Sequence, residues 1–281
     1  MPHYRNRFFA GLAEAFEAQA RSMGLCPVVV STQRDASMEA SVVQTLLAQQ
    51  VEFLFIAGVH DPDPLNEICR AAQIRCVNID LPGRRAPSVV SDNRGGARAL
   101  TEIILRRLSD RGAPLTDLFF FGGLLSDDAT SKRLQGFHDA LILRGVAIED
   151  GLIDCCGYPP VTAAQSLARR YEALGRLPSG LFVNGVTALE GALQFTSKLP
   201  DGALADVVVG SFDWDPFGAH LPFDVTMVRQ NVEAMIAEAF ALLGNGGAEP
   251  FPLVVVPTSF GRAGTSDGPS GDWRIYPILA A

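Results

Sequence analysis

The sequence predicts an α/β protein of parallel sheets covered by helices on both faces and divided into two similar subdomains. Short apolar runs alternate with longer segments of helical period along most of the chain, the pattern of successive strand–helix units with right-handed crossovers. The run at 53–57 is continuously apolar, as in strands buried on both faces. A chain of 281 residues, 48% hydrophobic, can bury a large core. About five strand–helix units lie on either side of residue 92, more than one twisted sheet readily takes.

The elements follow in order. Phe8, Phe9, Leu12, Phe16 and Met23 recur at helical spacing and Gly24 stops the run, so a helix is expected at 7–23. Residues 27–31 read as a strand, 36–49 as a helix and 53–57 as a buried strand. Pro62 and Pro64 sit where a helix can begin but not continue, ahead of Leu65, Ile68, Cys69 and Ala72. A short strand at 76–79 ends at Asp80. Val89 and Val90 then run into Asp92, a candidate N-cap for a helix carrying Ala97, Leu100, Ile103, Ile104 and Leu108. Gly95 and Gly96 are poor helix residues and suggest a backbone that something approaches closely. Further strands are expected at 118–121, 152–156, 180–183, 207–210, 225–228 and 254–256. Helices are expected through Leu134, Phe137, Leu141 and Leu143, then at 162–174, 186–195 and 232–243. A polar, aromatic turn spans 212–217, a loop 244–247, and the tail at 266–273, rich in Gly, Ser, Asp and Pro, reads as irregular.

The net charge of −8 argues against this chain gripping a phosphate backbone, which needs clustered Lys and Arg. Cys26, Cys69, Cys76, Cys155 and Cys156 are an odd count without C-x-x-C spacing, so they read as buried free thiols in a reducing cytoplasm. The first residues hold no apolar signal core and no run is long enough to span a bilayer, so a cytoplasmic protein without a membrane partner is expected. No P-loop, H-E-x-x-H, G-x-S-x-G or G-x-G-x-x-G occurs, and His3, His60, His138 and His220 are scattered. His60, Asp61 and Asp63 could touch a cation, but between Gly58 and Pro64 they read as a solvated turn. A binding protein fits better than an enzyme, with no cofactor and no metal.

The candidate site is built from polar residues at the carboxyl ends of expected strands: Asp80, Asn184 and Asp213. Three acceptor-bearing side chains on one crevice suit a polyhydroxylated ligand, although any one of them could instead cap a helix or turn. Adjacent Phe8 and Phe9 cannot both face the core, so one ring is a candidate stacking wall; ordinary packing by both is the plain alternative. Trp214, an indole in a polar turn, invites the same reading. Arg133 lies near the start of a helix opened by Ser126, Asp127 and Asp128, where the plain reading is a surface ion pair with those acids.

Several segments then carry a resemblance. S-D-N-R-G-G-A-R-A-L (91–100), S-K-R-L-Q-G-F-H-D-A-L (131–141), L-F-V-N-G-V-T-A-L-E-G-A-L (181–193), V-V-V-G-S-F-D (207–213), T-M-V-R-Q (226–230) and V-P-T-S-F-G-R-A-G-T (256–265) succeed one another along the chain. In order and spacing they resemble the effector-binding core of LacI-type bacterial transcriptional repressors, the lactose/galactose repressor family. The resemblance implies a type I periplasmic-binding-protein-like fold: two doubly wound parallel-sheet subdomains, 1–91 with 231–252 and 92–230 with 253–281, joined by three crossing strands around a cleft. It implies ligand contacts at Phe8, Asp80, Arg133, Asn184, Asp213 and Gln230, with Trp214 beside them.

The implied function is an effector-sensing, sugar-binding and dimerisation core whose occupancy alters DNA binding by a population shift. The alternative is a solute-binding protein of a sugar transport system. A homodimer is expected through Val42, Val43, Leu46 and Leu47, whose plain alternative is packing on their own sheet. Operator DNA would be reached only through a headpiece absent from this chain. The family's opening apolar strand has no counterpart before M-P-H-Y-R-N-R-F-F, which implies a shortened sequence. Gly185 stands where the family usually has Asp, and Leu81 where Arg often follows the strand-end Asp; both changes remove polar groups from the cleft.

Overall fold

The computed structural model describes residues 1–149, 151–244 and 250–262. The loop expected at 244–247, from residue 245 on, and the tail at 266–273 lie outside the described residues. The chain forms two α/β units, Met1–Asp92 with Asn231–Val256, and Asn93–Gln230 with the described residues from Pro257 onward.

The first unit holds α1 (Arg7–Ser22), α2 (Ala36–Ala48), β1 (Phe53–Ile56), α3 (Asp63–Ala71), β2 (Arg75–Ile79) and β3 (Ser88–Ser91), and later α8 (Val232–Gly244) and β9 (Leu253–Val256). Helix α1 begins where Asn6 accepts from the Phe8 N–H, and α2 where Asp35 accepts from Ser37 and Met38, the usual satisfaction of free first-turn donors. The sheet runs β1-β2-β3-β9, parallel throughout. Strand β9 therefore belongs here, not with the second unit as a boundary at 253 expected, because its ladder pairs Leu253–Val256 with β3.

Period two divides β1 between two cores. Phe53 and Phe55 pack with Phe9, Leu12, Met235 and Phe240 on the face covered by α1 and α8. Leu54 and Ile56 pack with Val43, Leu65 and Cys69 on the face covered by α2 and α3. Val43 is thus buried in its own unit and is withdrawn from the expected dimer face, and Leu46 and Leu47 pack partly on the same cluster.

Residues 27–31, expected as a strand, join no sheet. Their backbone meets Met1 instead: the Met1 amino group donates to Val30 O at 3.0 Å, and Thr32 N donates to Met1 O at 2.8 Å. Cys26 is exposed, against the expectation of buried thiols throughout, while Cys69 is buried; all five cysteines are free. Burial pushes the Cys155 thiol up to about 11, which leaves it protonated and inert at neutral pH.

The second unit holds α4 (Asn93–Asp110), β4 (Leu118–Phe121), α5 (Asp128–Leu143), β5 (Ile153–Asp154), α6 (Pro160–Leu174), β6 (Gly180–Val183), α7 (Val186–Thr196), β7 (Val208–Phe212), β8 (Val225–Arg229) and β10 (Ser259–Arg262). The expected turn after β7 closes with a 3-10 helix, Pro216–His220, capped where Asp215 accepts from Phe217 N. The six strands run β10-β8-β7-β6-β4-β5, parallel except for β10. Phe120 and Phe182 turn to α4 and α5, packing with Leu100, Ile104 and Phe137. Phe119 and Phe121 turn to α6 and α7, packing with Leu167 and Leu189. What approaches Gly96 is the protein itself: a Cβ there would lie 2.6 Å from Thr258 Oγ1 and 3.1 Å from the Phe212 ring.

Among the described residues no helix is long and apolar enough to cross a membrane, and no cluster of His, Cys, Asp and Glu could hold a metal ion.

Candidate functional site

In the second unit, β4 pairs with β5 on one edge and β6 on the other. The chain leaves β4 through α5 to one side and returns to the other, so the carboxyl ends of β4 and β6 border the crevice where doubly wound sheets hold ligands. Gly122 and Gly123 follow β4, Asn184 follows β6, Asp213 follows β7 and Gln230 follows β8. Thr130 and Arg133 come from the first turns of α5, and Asn93 opens α4.

Arg133 organises the group. It is only 5% exposed, so the surface ion pair expected of it is corrected: packing α5 against α4 carries it inward. Its Nε donates to Asn93 Oδ1 at 2.8 Å and its Nη1 to the backbone O of Asn184 at 2.8 Å. The guanidinium lies 3.9 Å from the centroid of the Phe212 ring, and Nη2 stands 3.7 Å from Asp213 Oδ1. The planar fork is thus fixed by two hydrogen bonds and a ring face, with its carboxylate neighbour just beyond direct bonding distance.

Asp213 turns out of β7 with a positive φ of 64°, and its Oδ1 accepts from Gln230 Nε2 at 2.6 Å. Asn184 Nδ2 donates to Gly122 O at 3.2 Å and Thr130 Oγ1 at 3.0 Å. Two acceptors remain: Asn184 Oδ1 and Gln230 Oε1 are buried and have no hydrogen-bond partner among the described residues. Buried polar atoms in that state call for an explanation, and a donor from a bound molecule supplies one.

The structure brings Arg133, Asn184, Asp213 and Gln230 together. Trp214 stands beside them and faces β10, where a Cβ on Gly261 would lie 2.3 Å from its ring, and the Arg229 guanidinium lies 5.3 Å from that ring. Phe8 and Asp80 belong to the first unit. Phe9 takes the core position, and Phe8 is half-buried against it with ring centroids 5.1 Å apart. Asp80 ends β2 at a φ of 69°, its N–H donating to Val89 O at 2.9 Å.

Three residues of the site escaped sequence reasoning: Asn93, Thr130 and Tyr158. Tyr158 follows β5, donates to Asp127 Oδ2 at 2.7 Å and lies 3.4 Å from Thr130 Oγ1. Burial, with Asp127 adding to it, raises its hydroxyl pKa well above the ordinary value, so it stays a donor. A tyrosine two residues past the strand expected at 152–156, which the structure shortens to Ile153–Asp154, was the available signal.

Gly123 is required by both space and conformation. Its φ is 75°, and a Cβ there would fall 2.1 Å from Asn184 Nδ2 and 2.4 Å from Thr130 Oγ1. Gly123→Ala is expected to cost about 1–3 kcal/mol through backbone strain and overpacking, and to displace Asn184. Urea unfolding measures the first, and a variant as stable as the parent would contradict this geometry.

Acceptor oxygens on Asp213, Asn184 and Gln230 beside a fixed guanidinium match the donor and acceptor pattern of a small polar molecule with several hydroxyls. Such a cluster at the switch point of a doubly wound sheet defines a small-molecule-binding α/β protein. The chain belongs to the periplasmic binding protein domain family, whose model matches residues 1–219. The ribitol operon repressor of Klebsiella aerogenes is 42% identical over 123 residues, 44% of this chain and 46% of the repressor. The sucrose operon repressor of Klebsiella pneumoniae is 23% identical over 258 residues, 90% of this chain and 75% of that protein. Among solved structures, the Cra transcriptional dual regulator from Pseudomonas putida, in complex with fructose 1-phosphate, superimposes with a TM-score of 0.81 at 21% identity, covering 94% of this chain and 96% of that chain. These relatives are regulators, not enzymes, and they bear out the LacI-type resemblance and its fold. The chain spans less than half the length of the ribitol repressor.

Proposed function

We propose that this chain is the effector-sensing core of a bacterial transcriptional regulator, and that its effector is a sugar or sugar alcohol held by the second unit. The observation that carries this reading is the buried Arg133 fixed beside Asp213, with the acceptors Asn184 Oδ1 and Gln230 Oε1 unpartnered around it. A vicinal diol fits that set: its hydroxyls donate to the amide and carboxylate oxygens while accepting from the guanidinium. Gly185 supports an effector with bulk at this point, since a Cβ there would already stand 3.2 Å from Asp213 Oδ2. Ribitol is the first compound to test, because the ribitol operon repressor shares 42% identity over its matched segment.

Phe8 and Asp80 are proposed as the first unit's contributions to effector binding and Trp214 as a flanking residue. In this reading the effector selects among conformations of a homodimer, and the selection is passed to a DNA-binding segment outside this chain. The chain itself catalyses nothing and works in the cytoplasm. The operon-repressor relatives favour this over the transport reading, which shares the fold.

The test is a thermal shift of the intact chain with ribitol, ribose, sucrose and fructose 1-phosphate, beside Asp213→Ala. A ligand at a hundred times its Kd should add about 2.7 kcal/mol to the native state and raise the Tm of the parent by about 5–10 °C. Asp213→Ala should respond at least tenfold more weakly in ligand concentration. No shift on a folded protein, or equal shifts in the two, would overturn the assignment.

A further inference from the structure

Two thiols of the first unit meet inside its apolar core. Cys69 lies in the last turn of α3, and Cys76 is the second residue of β2. The chain turns back tightly between them, where Ile74 N donates to the Cys69 carbonyl at 2.9 Å, so β2 starts beside the helix it has just left. Cys76 pairs with Leu54 of β1, and both face the cluster that holds Cys69. There the Cys69 thiol donates to the Cys76 sulfur. Asn66 Nδ2 donates to the same sulfur at 3.5 Å. A reciprocal amide pair fixes Asn66 in place: its Nδ2 donates to Asn78 Oδ1 at 2.8 Å, and Asn78 Nδ2 returns a bond to Asn66 Oδ1 at 3.1 Å.

Thiols that serve only as small apolar residues need no donors aimed at them. Two donors converging on one sulfur favour its thiolate. The hydrogen bond from Cys69 holds the Cys76 thiol below its ordinary value, with Asn66 adding to it and burial opposing both. Cys69, which gives its hydrogen to Cys76 and is buried, is held above the ordinary value. Access divides the pair in the same sense: Cys69 is fully buried, while Cys76 is half-buried and retains a surface open to solvent. The remaining cysteines do not repeat the arrangement. Cys155 and Cys156 are neighbours in sequence but pack in the two different cores of the second unit, and Cys26 is exposed.

We propose that Cys69 and Cys76 form a peroxide-oxidisable dithiol, Cys76 reacting first and Cys69 then closing a reversible disulfide between α3 and β2. The Cys76 thiolate attacks one oxygen of hydrogen peroxide and the O–O bond breaks. The sulfur keeps that oxygen as a sulfenic acid, and the departing hydroxide combines with the proton Cys76 gave up to form water. The Cys69 thiol then attacks the Cys76 sulfur. The S–S bond forms, the S–O bond breaks, and the Cys69 proton leaves with the hydroxide as a second water. Two electrons pass from the two sulfurs to the peroxide. A thiol reductant reverses the step, which makes this a transient disulfide of the kind that a reducing compartment permits.

The experiment treats the intact, folded chain with an equimolar amount of hydrogen peroxide, blocks the remaining thiols with N-ethylmaleimide and digests with trypsin for mass spectrometry. Cleavage after Arg70 and Arg75 separates the two cysteines, so the disulfide is read as the peptides 35–70 and 76–84 joined together. Dithiothreitol added before digestion should release them. Of the five free thiols, the two in this pair should be lost to the blocking reagent and the other three retained. With dimedone present, Cys69→Ala should give no disulfide and instead a dimedone adduct at Cys76, a sulfenic acid left without its resolving thiol. Cys76→Ser should give neither product, and its Cys69 should be blocked as in the untreated chain. Recovery of peptides 35–70 and 76–84 unjoined from the treated parent would overturn the proposal. So would a dimedone adduct at Cys69 in Cys76→Ser, since the buried thiol would then react without its partner.

Discussion

Arg133→Met is expected to abolish effector binding, at least a hundredfold in Kd, and to cost about 3–5 kcal/mol of stability. The side chain that replaces it still covers Phe212 but leaves Asn93 Oδ1, the Asn184 carbonyl and Asp213 without their cation, all within a buried region. Stranded acceptors carry the desolvation cost that their partner had offset. Arg133→Lys should recover only part of both losses. An ammonium is a point charge and cannot bond Asn93 and Asn184 from one plane while lying flat on Phe212. Calorimetric titration with ribitol, or with whichever sugar the thermal screen selects, reads the first effect and urea unfolding the second. A Lys variant equal to the parent would show that charge alone matters at this position and that the fork geometry does not.

Phe182→Ala is expected to cost about 3–5 kcal/mol in the second unit. Phe182 is fully buried, with ring centroids 4.8 Å from Phe120, 5.7 Å from Phe137 and 6.4 Å from Phe212. Phe120 comes from β4, Phe137 from α5 and Phe212 from β7. These elements cannot all collapse into the space without breaking ladder bonds, so most of the cavity should persist. Because Phe212 supports Arg133, the loss should also reach the site and weaken effector binding by up to about tenfold. Urea unfolding followed by calorimetry on the folded variant separates the two. A cost below about 1.5 kcal/mol would mean that the ring cluster relaxes to fill the gap.

The sequence alone determined the strands whose residues are all buried. Leu118–Phe121 and Gly180–Val183 stand as read, because burial on both faces writes a continuous apolar run that needs no partner to be recognised. It also located Asn184 and Asp213, since polar residues at the carboxyl ends of parallel strands have few other places to go. Arg133 was named only through the family resemblance; its own neighbours, Asp127 and Asp128, pointed to the surface. Tertiary structure decided otherwise, because its partners Asn93, Asn184 and Phe212 come from α4 and the ends of β6 and β7, 40 residues away or more.

The same reason accounts for the two strand errors. Ser259–Arg262 carries no apolar run and was not expected to be a strand, yet it pairs antiparallel with the free edge of β8. Residues 27–31, with three consecutive valines, have the local preference for a strand and join no ladder. Local preference shapes a segment, but a strand exists only when a second backbone lies alongside to exchange hydrogen bonds. That neighbour is a property of the whole fold.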